Sequence, residues 1–344
     1  AGNKILYLAS GVHYMNETWI LAADGVKITG AGMWYTKLQF TNSGMGSGGI
    51  CGEKTGYCQG VEFCNMYINS NLHSRFDQQA NYKCFRDLFA KGTSIHDVWE
   101  EHFECGFWIG RYDSNSINKE SDLNIYNCRV RNNFADGINF CQGTRDSNVH
   151  NCDIRNNGDD GLAMWNATDF QPDDEYNNTF CYNTVEFIWR AGGIAVYGGE
   201  GHKVYNNYIR DTFTAAGIHM NTNFSGCQFN NTTKIEVANN VLVRTGTNKD
   251  SWNESLGAID VSGGVNNVTF SNNEIYDAQA NGIRTFNFNG KGVSMNNTVI
   301  FGIGLDKMYD DYSCSKHSEV AVRQSNTSIK YNNLLVRNVM TKYL

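Results

Sequence analysis

Three aspartates in two copies of one short motif are the residues of this chain best suited to chemistry. The segment NCRVRNN, which starts at Asn127, returns 24 residues later as NCDIRNN, and the two copies lead into Asp136-Gly137 and Asp160-Gly161. The second copy carries one further acid, Asp159. One carboxyl group that keeps its proton beside another that is ionised can supply the acid and the base of glycoside cleavage. The sequence therefore predicts an acid–base site at this repeat.

The repeat continues along the chain and predicts the architecture that positions these aspartates. Related Asn-containing motifs recur at steps of 24, 31, 24, 33, 33, 24 and 36 residues. A unit of this length with short alternating strands must stack on its neighbours to bury its inner face. The predicted fold is all-β, a right-handed parallel β-helix that resembles the pectin-lyase solenoids. One domain is expected over residues 1–344, with N-terminal coils and a Gly/Cys-rich loop over 1–62 and the main coils over 63–340.

Stacking of the coils predicts how the three aspartates meet. Equal positions of successive coils lie about 4.8 Å apart, and Asp136 and Asp160 are equal positions, so Asp159 is expected to join them at one corner. Crowded like charges raise at least one pKa. Gly158 and Gly161 allow the bend that lets neighbouring Asp159 and Asp160 face the same side. The alternative interpretation is that Asp-Gly is merely a turn repeated for structural reasons.

The repeated asparagine is predicted to be structural. Its amide is expected to form a buried ladder at a corner, where asparagine tolerates left-handed φ. The longer steps indicate insertions over 166–182, 220–233 and 244–256, which are expected to form loops on one side and to shape a binding cleft.

The sequence resembles family 87 of the glycoside hydrolases, which comprises α-1,3-glucanases (mutanases) and mycodextranases. The resemblance rests on the runs 105–111, 131–140, 155–165, 192–199 and 216–218. It implies inverting endo-hydrolysis of α-1,3-glucan, or of mixed α-1,3/α-1,4-glucan, by Asp136, Asp159 and Asp160. By analogy with polygalacturonases, Asp159 is expected to be the general acid, and Asp136 with Asp160 the pair that deprotonates water. Inverting enzymes hold the acid about 6.5–9.5 Å from the base.

Aromatic and polar residues near the aspartates are candidates for binding the α-glucan. Candidate platforms for sugar rings are Trp108, Trp165 and Tyr197, with a place in the core as the alternative for each. Candidate partners of sugar hydroxyls are Arg111, Asn139 and His219, with a structural role as the alternative.

No metal site is predicted and no cofactor is required. Structural calcium at the acidic runs 173–175 and 310–311 is considered, but neither run has the spacing of an EF-hand loop, so solvated loops are the preferred interpretation.

Charge and composition limit the kinds of partner that this chain can bind. The net charge of −7 and the scattered basic residues argue against nucleic acid and anionic lipid. No apolar run approaches the roughly 20 residues that span a bilayer. Eleven cysteines and ten Asn-X-Ser/Thr sequons predict a secreted, extracellular, disulfide-bonded glycoprotein. The expected glycosylation sites are Asn16, Asn166, Asn177, Asn223, Asn230, Asn253, Asn267, Asn296 and Asn326.

Two cysteine pairs are singled out. Cys51 and Cys58 bracket part of a Gly-rich run, which predicts a long surface loop pinned by a disulfide. Cys128 and Cys152 occupy equal positions of stacked coils, so they are expected to form a buried thiol ladder or, where the Cβ geometry permits, a disulfide.

Two other functions fit the sequence. One is a non-catalytic, glycosylated, structural or self-assembling extracellular β-helix, a filament or coat protein derived from such an enzyme. The other is β-elimination of an acidic polysaccharide, which would require calcium and a basic residue in the cleft.

Overall fold

The computed structural model describes residues 4–52, 58–76, 81–110, 121–141, 143–169, 175–247, 254–303, 320–325, 328–339 and 341–343. Within these ranges the regular structure consists of strands. No helix in them is long and apolar enough to cross a membrane.

The strands wind into coils with three faces, and almost every strand pairs in parallel with the equivalent strand of the next coil. The first face contains Lys4–Leu8, Val26–Gly30, Leu123–Tyr126, Asn148–His150, Thr179–Cys181, Lys203–Tyr205, Ile235–Ala238, Val268–Ser271, Ser294–Asn296 and Lys330–Asn332. The second face contains Gly11–Met15, Thr36–Phe40, Arg129–Arg131, Asp153–Arg155, Thr184–Glu186, Tyr208–Arg210, Val241–Val243, Glu274–Ala278, Val299–Ile303 and Leu335–Arg337. Two long strands, Glu62–Asn69 and Thr93–Glu101, cross the corner between these faces and join them into one 22-stranded sheet.

The third face is a separate 12-stranded sheet whose strands follow one another in chain order. It contains Trp19–Leu21, Ile50–Gly52, Phe85–Asp87, Phe107–Ile109, Ile138–Cys141, Leu162–Trp165, Ile194–Tyr197, Ile218–Met220, Gly257–Ser262, Asn281–Phe286, Val320–Gln324 and Thr341–Tyr343. Two short strands, Cys58–Gln59 and Phe89–Ala90, pair outside these faces. The predicted parallel β-helix is therefore confirmed.

Alternation along each strand separates the core from the outside. In Leu162–Trp165 the side chains of Leu162 and Met164 join the central core, whereas Ala163 joins a separate outer cluster. The core is a column of equivalent, buried apolar residues, and full burial of one such side chain contributes about 1.5–3 kcal/mol. The outer side of the third sheet is thus free to carry polar chemistry.

The left-handed φ and the buried hydrogen bonds predicted for one repeated asparagine belong to two consecutive residues. The first takes left-handed φ, as at Asn206 (55°) and Asn239 (55°). The second is buried, and its side-chain oxygen accepts from the main-chain N–H of the preceding coil; Asn207 N–H donates to Asn240 Oδ1 at 3.0 Å. The ladder runs through Asn183, Asn207, Asn240 and Asn273. The predicted ladder is confirmed, with conformation and hydrogen bonding assigned to neighbouring residues.

The ten cysteines that the structure describes are all buried, and none of them forms a disulfide there. The predicted disulfide between Cys51 and Cys58 is wrong. Cys51 lies in a strand of the third sheet, and its thiol donates to the Asp87 carboxylate at 2.9 Å. Cys128 and Cys152 form the thiol ladder, in which the Cys128 N–H donates to Cys152 Sγ at 3.5 Å.

The predicted glycosylation site at Asn166 is also wrong for the folded chain. Its side chain is fully buried, and its amide nitrogen, the atom that would carry the glycan, donates to the Gln228 carbonyl at 3.1 Å. Asn16, Asn177 and Asn223 are exposed, whereas Asn230, Asn267 and Asn296 are partly exposed. Asn253 and Asn326 lie outside the described residues.

Within the acidic runs considered for calcium, the structure describes only Glu175, which is buried rather than solvated as expected. Asp173, Asp174, Asp310 and Asp311 lie outside the described residues.

Candidate active site

The two Asp-Gly corners stack on each other where two neighbouring strands of the third sheet begin. Ile138 pairs with Leu162, and the Gly137 N–H donates to the Asp160 carbonyl at 3.0 Å. The side chains of Asp136 and Asp160 are nevertheless buried, at 7% and 4% exposure. A turn needs no buried acid, and burial of a carboxylate is costly unless other groups compensate it. The two aspartates therefore form the stacked pair that the repeat predicted, and their burial argues against a purely structural turn.

The surroundings of the two buried carboxyl groups differ. Burial, reinforced by the neighbouring Asp160, raises the pKa of Asp136 to about 7. Burial also raises the pKa of Asp160 to about 6, although the Tyr197 hydroxyl and the Gly192 N–H each donate to this carboxylate at 2.8 Å and favour its ionised form. Asp136 accepts a longer bond, 3.5 Å, from the Asn139 amide. Asp136 therefore keeps a proton more readily than Asp160 does.

Asp159 is in a different setting, at the mouth of a cleft. Its side chain is 22% exposed and forms ion pairs with two arginines, Arg75 at 3.1 Å and Arg190. Two guanidinium groups favour the ionised carboxylate. In the absence of glucan, this environment opposes the role of proton donor expected for Asp159.

The three carboxyl groups lie close together. One oxygen from each aspartate lies within 4.8 Å of one from each of the others. The separation of about 6.5–9.5 Å that identifies inverting pairs is thus not found between these oxygens. Oxygens at this spacing are also suited to a hard cation such as calcium.

The bend at Asp159 is present, but its glycines serve close packing. Neither Gly158 nor Gly161 has positive φ. A Cβ at Gly158 would lie 2.2 Å from the Trp189 ring, and one at Gly161 would lie 2.7 Å from the Gly193 carbonyl oxygen. The corner therefore needs glycine because neighbouring coils approach too closely for any side chain.

A cleft of about 660 Å³ opens beside the aspartates on the outer side of the third sheet. Asp159 and Asp160 stand at one end, and the buried pair Asp260 and Arg284 lies farther along the sheet. Arg284 holds Asp260 by two bonds, of 2.5 and 3.2 Å. The cleft is lined in part by Phe224, within the 220–233 insertion, and by Glu254 and Leu256, at the C-terminal end of the 244–256 insertion. Insertions thus help to shape the cleft, as predicted.

Tyr197 orients a carboxylate rather than presenting a ring to solvent. It is 7% exposed, and its hydroxyl is bonded to Asp160. His219 lines the cleft, where its Nε2 lies 3.6 Å from the Asp260 carboxylate and 3.0 Å from the Asn221 amide. Although the ring is largely enclosed, Tyr197 also lines the cleft, so its role as a ring platform stays a prediction.

The other predicted binding residues are placed beside the aspartates or outside the described chain. Trp108 and Trp165 meet edge to face with ring centroids 5.7 Å apart, and Trp165 contacts Phe224, which lines the cleft. Asn139 is buried and bonds Asp136, so it acts on the carboxyl pair. Arg111 lies outside the described residues.

Sequence reasoning missed both arginines on Asp159. Arg75 is 84 residues away in the chain, and its Nη1 also donates to the Phe134 carbonyl at 2.6 Å. Arg190 also donates to the Gly158 carbonyl at 3.1 Å. Neither arginine belongs to a repeated motif, so periodicity carried no signal for them. Gly192, in contrast, is the repeat equivalent of Asp136 and Asp160 and could have been found.

Comparison with known proteins identifies the family. The family model described as "Alpha-1,3-glucanase catalytic domain D2" matches residues 1–342. No curated protein matches the chain. Among solved structures, the chain is 38% identical to the Agl-KA catalytic domain with a TM-score of 0.89, and the match covers 99% of this chain and 61% of that one.

Two further structures share the fold. The catalytic domain of a GH87 alpha-1,3-glucanase in complex with nigerose is 23% identical, with a TM-score of 0.74 and coverage of 99% and 61%. The catalytic unit of a thermostable GH87 alpha-1,3-glucanase from Streptomyces thermodiastaticus strain HF3-3 is 20% identical, with a TM-score of 0.77 and coverage of 98% and 59%. The chain thus spans about three fifths of the length of these relatives. The resemblance found in the sequence is confirmed: the chain belongs to the family of α-1,3-glucanase catalytic domains.

Proposed function

We propose that this chain hydrolyses α-1,3-glucan and that Asp136, Asp159 and Asp160 carry the reaction. The observation behind the proposal is a stacked, buried carboxyl pair with raised pKa values beside a third carboxylate at the mouth of a cleft. Family membership supplies the substrate class.

The buried pair is suited to handle water. A base works best when its pKa lies near the working pH, and values of about 7 and 6 meet this condition. Asp136 and Asp160 hold one water, which attacks the anomeric carbon as the pair removes its proton. Asp159, the most open of the three, donates a proton to the departing glycosidic oxygen. Such a direct attack inverts the anomeric carbon, and it requires glucan to move Asp159 away from the buried pair, toward the separation of about 6.5–9.5 Å typical of inverting enzymes.

The ion pairs of Asp159 must change before it can donate a proton. Arg190 lines the cleft and its side chain is 36% exposed, so a glucan chain that enters the cleft can displace it. Loss of one guanidinium contact removes part of the stabilisation of the carboxylate and permits protonation. Binding of glucan and activation of the acid are thereby coupled.

The cleft offers a mixed surface to sugar. Phe224 and Phe286 supply apolar faces, while His219 and Asn221 supply polar groups. The paired indoles of Trp108 and Trp165 remain candidate platforms at the end near the aspartates. Nigerose, bound by one structural relative, supports an α-1,3-linked ligand as the first to test.

The test compares wild type with Asp136→Asn, Asp159→Asn and Asp160→Asn on a panel of α-1,3-, α-1,4- and mixed α-glucans. Each variant is expected to lose at least about a hundredfold in reducing-end release, since general acid–base groups contribute about 10²–10⁴-fold. NMR of the first product formed by the wild type should show the inverted anomer. A product that retains the anomeric configuration would contradict the proposal that Asp136 and Asp160 hold the attacking water.

An aryl α-glucoside separates the acid from the base. A good leaving group needs no proton, so Asp159→Asn should recover much of its rate on this substrate, whereas Asp136→Asn and Asp160→Asn should not. If Asp136→Asn recovers its rate instead, the general acid is Asp136, within the buried pair. A folded wild-type protein that cleaves no glucan in the panel would favour the structural, self-assembling alternative.

Secretion and glycosylation remain proposals that rest on the sequons. The ten cysteines that the structure describes form no disulfide there, so the proposal rests on the sequons, of which Asn16, Asn177 and Asn223 are exposed and accessible to modification. Mass spectrometry before and after enzymatic deglycosylation of the native protein tests the proposal. Unmodified peptides at all three sites would contradict glycosylation there.

A further inference from the structure

A second cluster of reactive side chains lies on the first face, outside the candidate active site. Glu62, Cys64 and His96 each offer one ligand atom, and the three atoms lie within 4.8 Å of one another. The Cys64 thiol is 3.8 Å from the Glu62 carboxylate, and His96 Nε2 is 3.2 Å from the same oxygen. The proposed reaction does not use any of them.

Backbone geometry brings these groups together. Glu62 and Cys64 are two residues apart in one strand, so their side chains project to the same side. His96 is the register partner of Cys64 on the next coil, one strand spacing away. The convergence therefore follows from strand pairing and needs no special loop.

The orientation of His96 is fixed by two further contacts. Its Nδ1 lies 2.7 Å from the Asp97 carboxylate, and its ring stacks on Tyr126 with centroids 4.6 Å apart. These contacts direct Nε2 toward Glu62 and Cys64. A carboxylate on the outer ring nitrogen is the usual companion of a metal-binding histidine, because it fixes the tautomer and the ring orientation.

We infer that Glu62, Cys64 and His96 form a binding site for Zn²⁺. Thiolate, imidazole and carboxylate are the ligands that zinc takes in proteins, whereas calcium and magnesium prefer oxygen alone. Three protein ligands leave one tetrahedral position for water. Binding releases two protons to solvent, one from the Cys64 thiol and one from His96 Nε2, which faces the Glu62 carboxylate, and forms the metal–sulfur and metal–nitrogen bonds. The ion joins two successive coils in the N-terminal part of the solenoid.

Lys27 competes with the ion for Glu62, and the Asn65 amide, which donates to Cys64 Sγ at 3.3 Å, competes for the sulfur. The Lys27 ammonium contacts the Glu62 carboxylate at 2.6 Å, and its side chain is 38% exposed, so it can turn into solvent when a metal arrives. Glu62 and His96 are themselves partly exposed, at 37% and 13%, which leaves a path for the ion to the buried thiol. Lys27 should therefore weaken metal binding without preventing it.

The test is titration of the metal-depleted full chain with Co²⁺, followed by displacement with Zn²⁺. We expect one Co²⁺ per chain and a thiolate-to-cobalt absorption band in the near ultraviolet. Cys64→Ser should abolish the band, and His96→Gln should weaken Zn²⁺ binding at least tenfold. Asp97→Asn should weaken it about 10–100-fold, the effect usual for outer-shell partners. Lys27→Gln should strengthen it severalfold.

Matched controls exist at equivalent positions on later coils. His150 and Cys181 are register partners on the same face, and the His150 Nδ1 bonds an amide, Asn151, rather than an acid. His150→Gln and Cys181→Ser should bind Co²⁺ like the wild type. No cobalt band in the wild type, or an equal band in Cys64→Ser, would overturn the inference. The wild-type titration alone decides whether cobalt binds, even where a variant fails to fold. Circular dichroism identifies a variant that has not folded.

Discussion

At the scale of single residues, the site works by giving three similar carboxyl groups different surroundings. Asp136 and Asp160 are buried and coupled, Asp160 is supported by two donors, and Asp159 faces two guanidinium groups. Burial raises a carboxyl pKa, whereas a donor or a cation favours the charged form. The division of labour thus lies in the neighbours of each aspartate.

Tyr197→Phe tests the support of Asp160. Loss of the 2.8 Å bond removes a donor that favours the ionised form, so the pKa of Asp160 should rise further. Because the base must be ionised, the acid limb of the kcat/KM profile should move to higher pH, with about a tenfold loss of rate on the acid side. Tyr276→Phe is the control, since Tyr276 bonds Glu274 at 2.7 Å on the second face. An unshifted acid limb in Tyr197→Phe would refute this role.

Arg190→Gln tests Asp159 as the acid. Removal of a positive charge favours the protonated carboxyl group, so the basic limb of the kcat/KM profile should move to higher pH. Arg210→Gln breaks a similar pair with Glu186, 2.6 Å long and on the second face, and should leave the profile unchanged. A basic limb that stays in place in Arg190→Gln would argue that Asp159 does not donate the proton.

At the scale of the element, the corner between the first and second faces sets the register of the whole stack. Each buried ladder asparagine satisfies main-chain groups of its neighbours, as where Asn207 Nδ2 donates to the Phe180 carbonyl at 2.9 Å. Buried polar groups are costly when left unpaired. The ladder therefore holds successive coils at equal positions, and this is what brings Asp136 over Asp160.

Asn207→Ala is expected to destabilise the fold by about 1–3 kcal/mol for each buried group that it leaves unpaired. Asn206→Gly is the control, because Asn206 has φ of 55°, which glycine adopts without strain. The urea midpoint should fall clearly for the first variant and hardly at all for the second. Equal midpoints would show that the ladder contributes little to stability.

At the scale of the whole molecule, buried titratable groups limit the pH range of stability from both sides. Burial raises the pKa of Glu100 well above its usual 4.5, so stability from its protonated form is lost as the pH rises; Asp136 and Asp160 act in the same direction. Burial lowers the pKa of His202 from 6.5 to about 3, so stability from its neutral form is lost as the pH falls below 6.5.

His202 adds stability as the pH rises from about 3 to 6.5, whereas Asp136 and Asp160 lose it above 3.8 and Glu100 above 4.5. The losses outweigh the gain, so the melting temperature is expected to be highest at about pH 4 and to fall as the pH rises. Glu100→Gln keeps a side-chain oxygen that can accept from the Asn133 amide, which lies 2.8 Å from Glu100 Oε1. In this variant the melting temperature should fall less steeply as the pH rises. In His202→Gln the melting temperature should depend less on pH at the acidic end of the series. Thermal unfolding of the three proteins across a pH series measures both effects. A Glu100→Gln curve that parallels the wild type above pH 4.5 would show that Glu100 is not protonated in the fold.

The sequence alone determined the coil, the ladder and the stacked aspartates, since all three follow from a periodic motif whose equivalent positions must superpose when inner faces are buried. Only the tertiary structure decided which groups surround the aspartates. Arg75 reaches Asp159 across 84 residues, and Tyr197 turns its hydroxyl inward to Asp160. The structure likewise showed that the ten described cysteines are buried thiols. Such contacts depend on the paths of non-repeating loops and on the space left between coils, which no local pattern encodes.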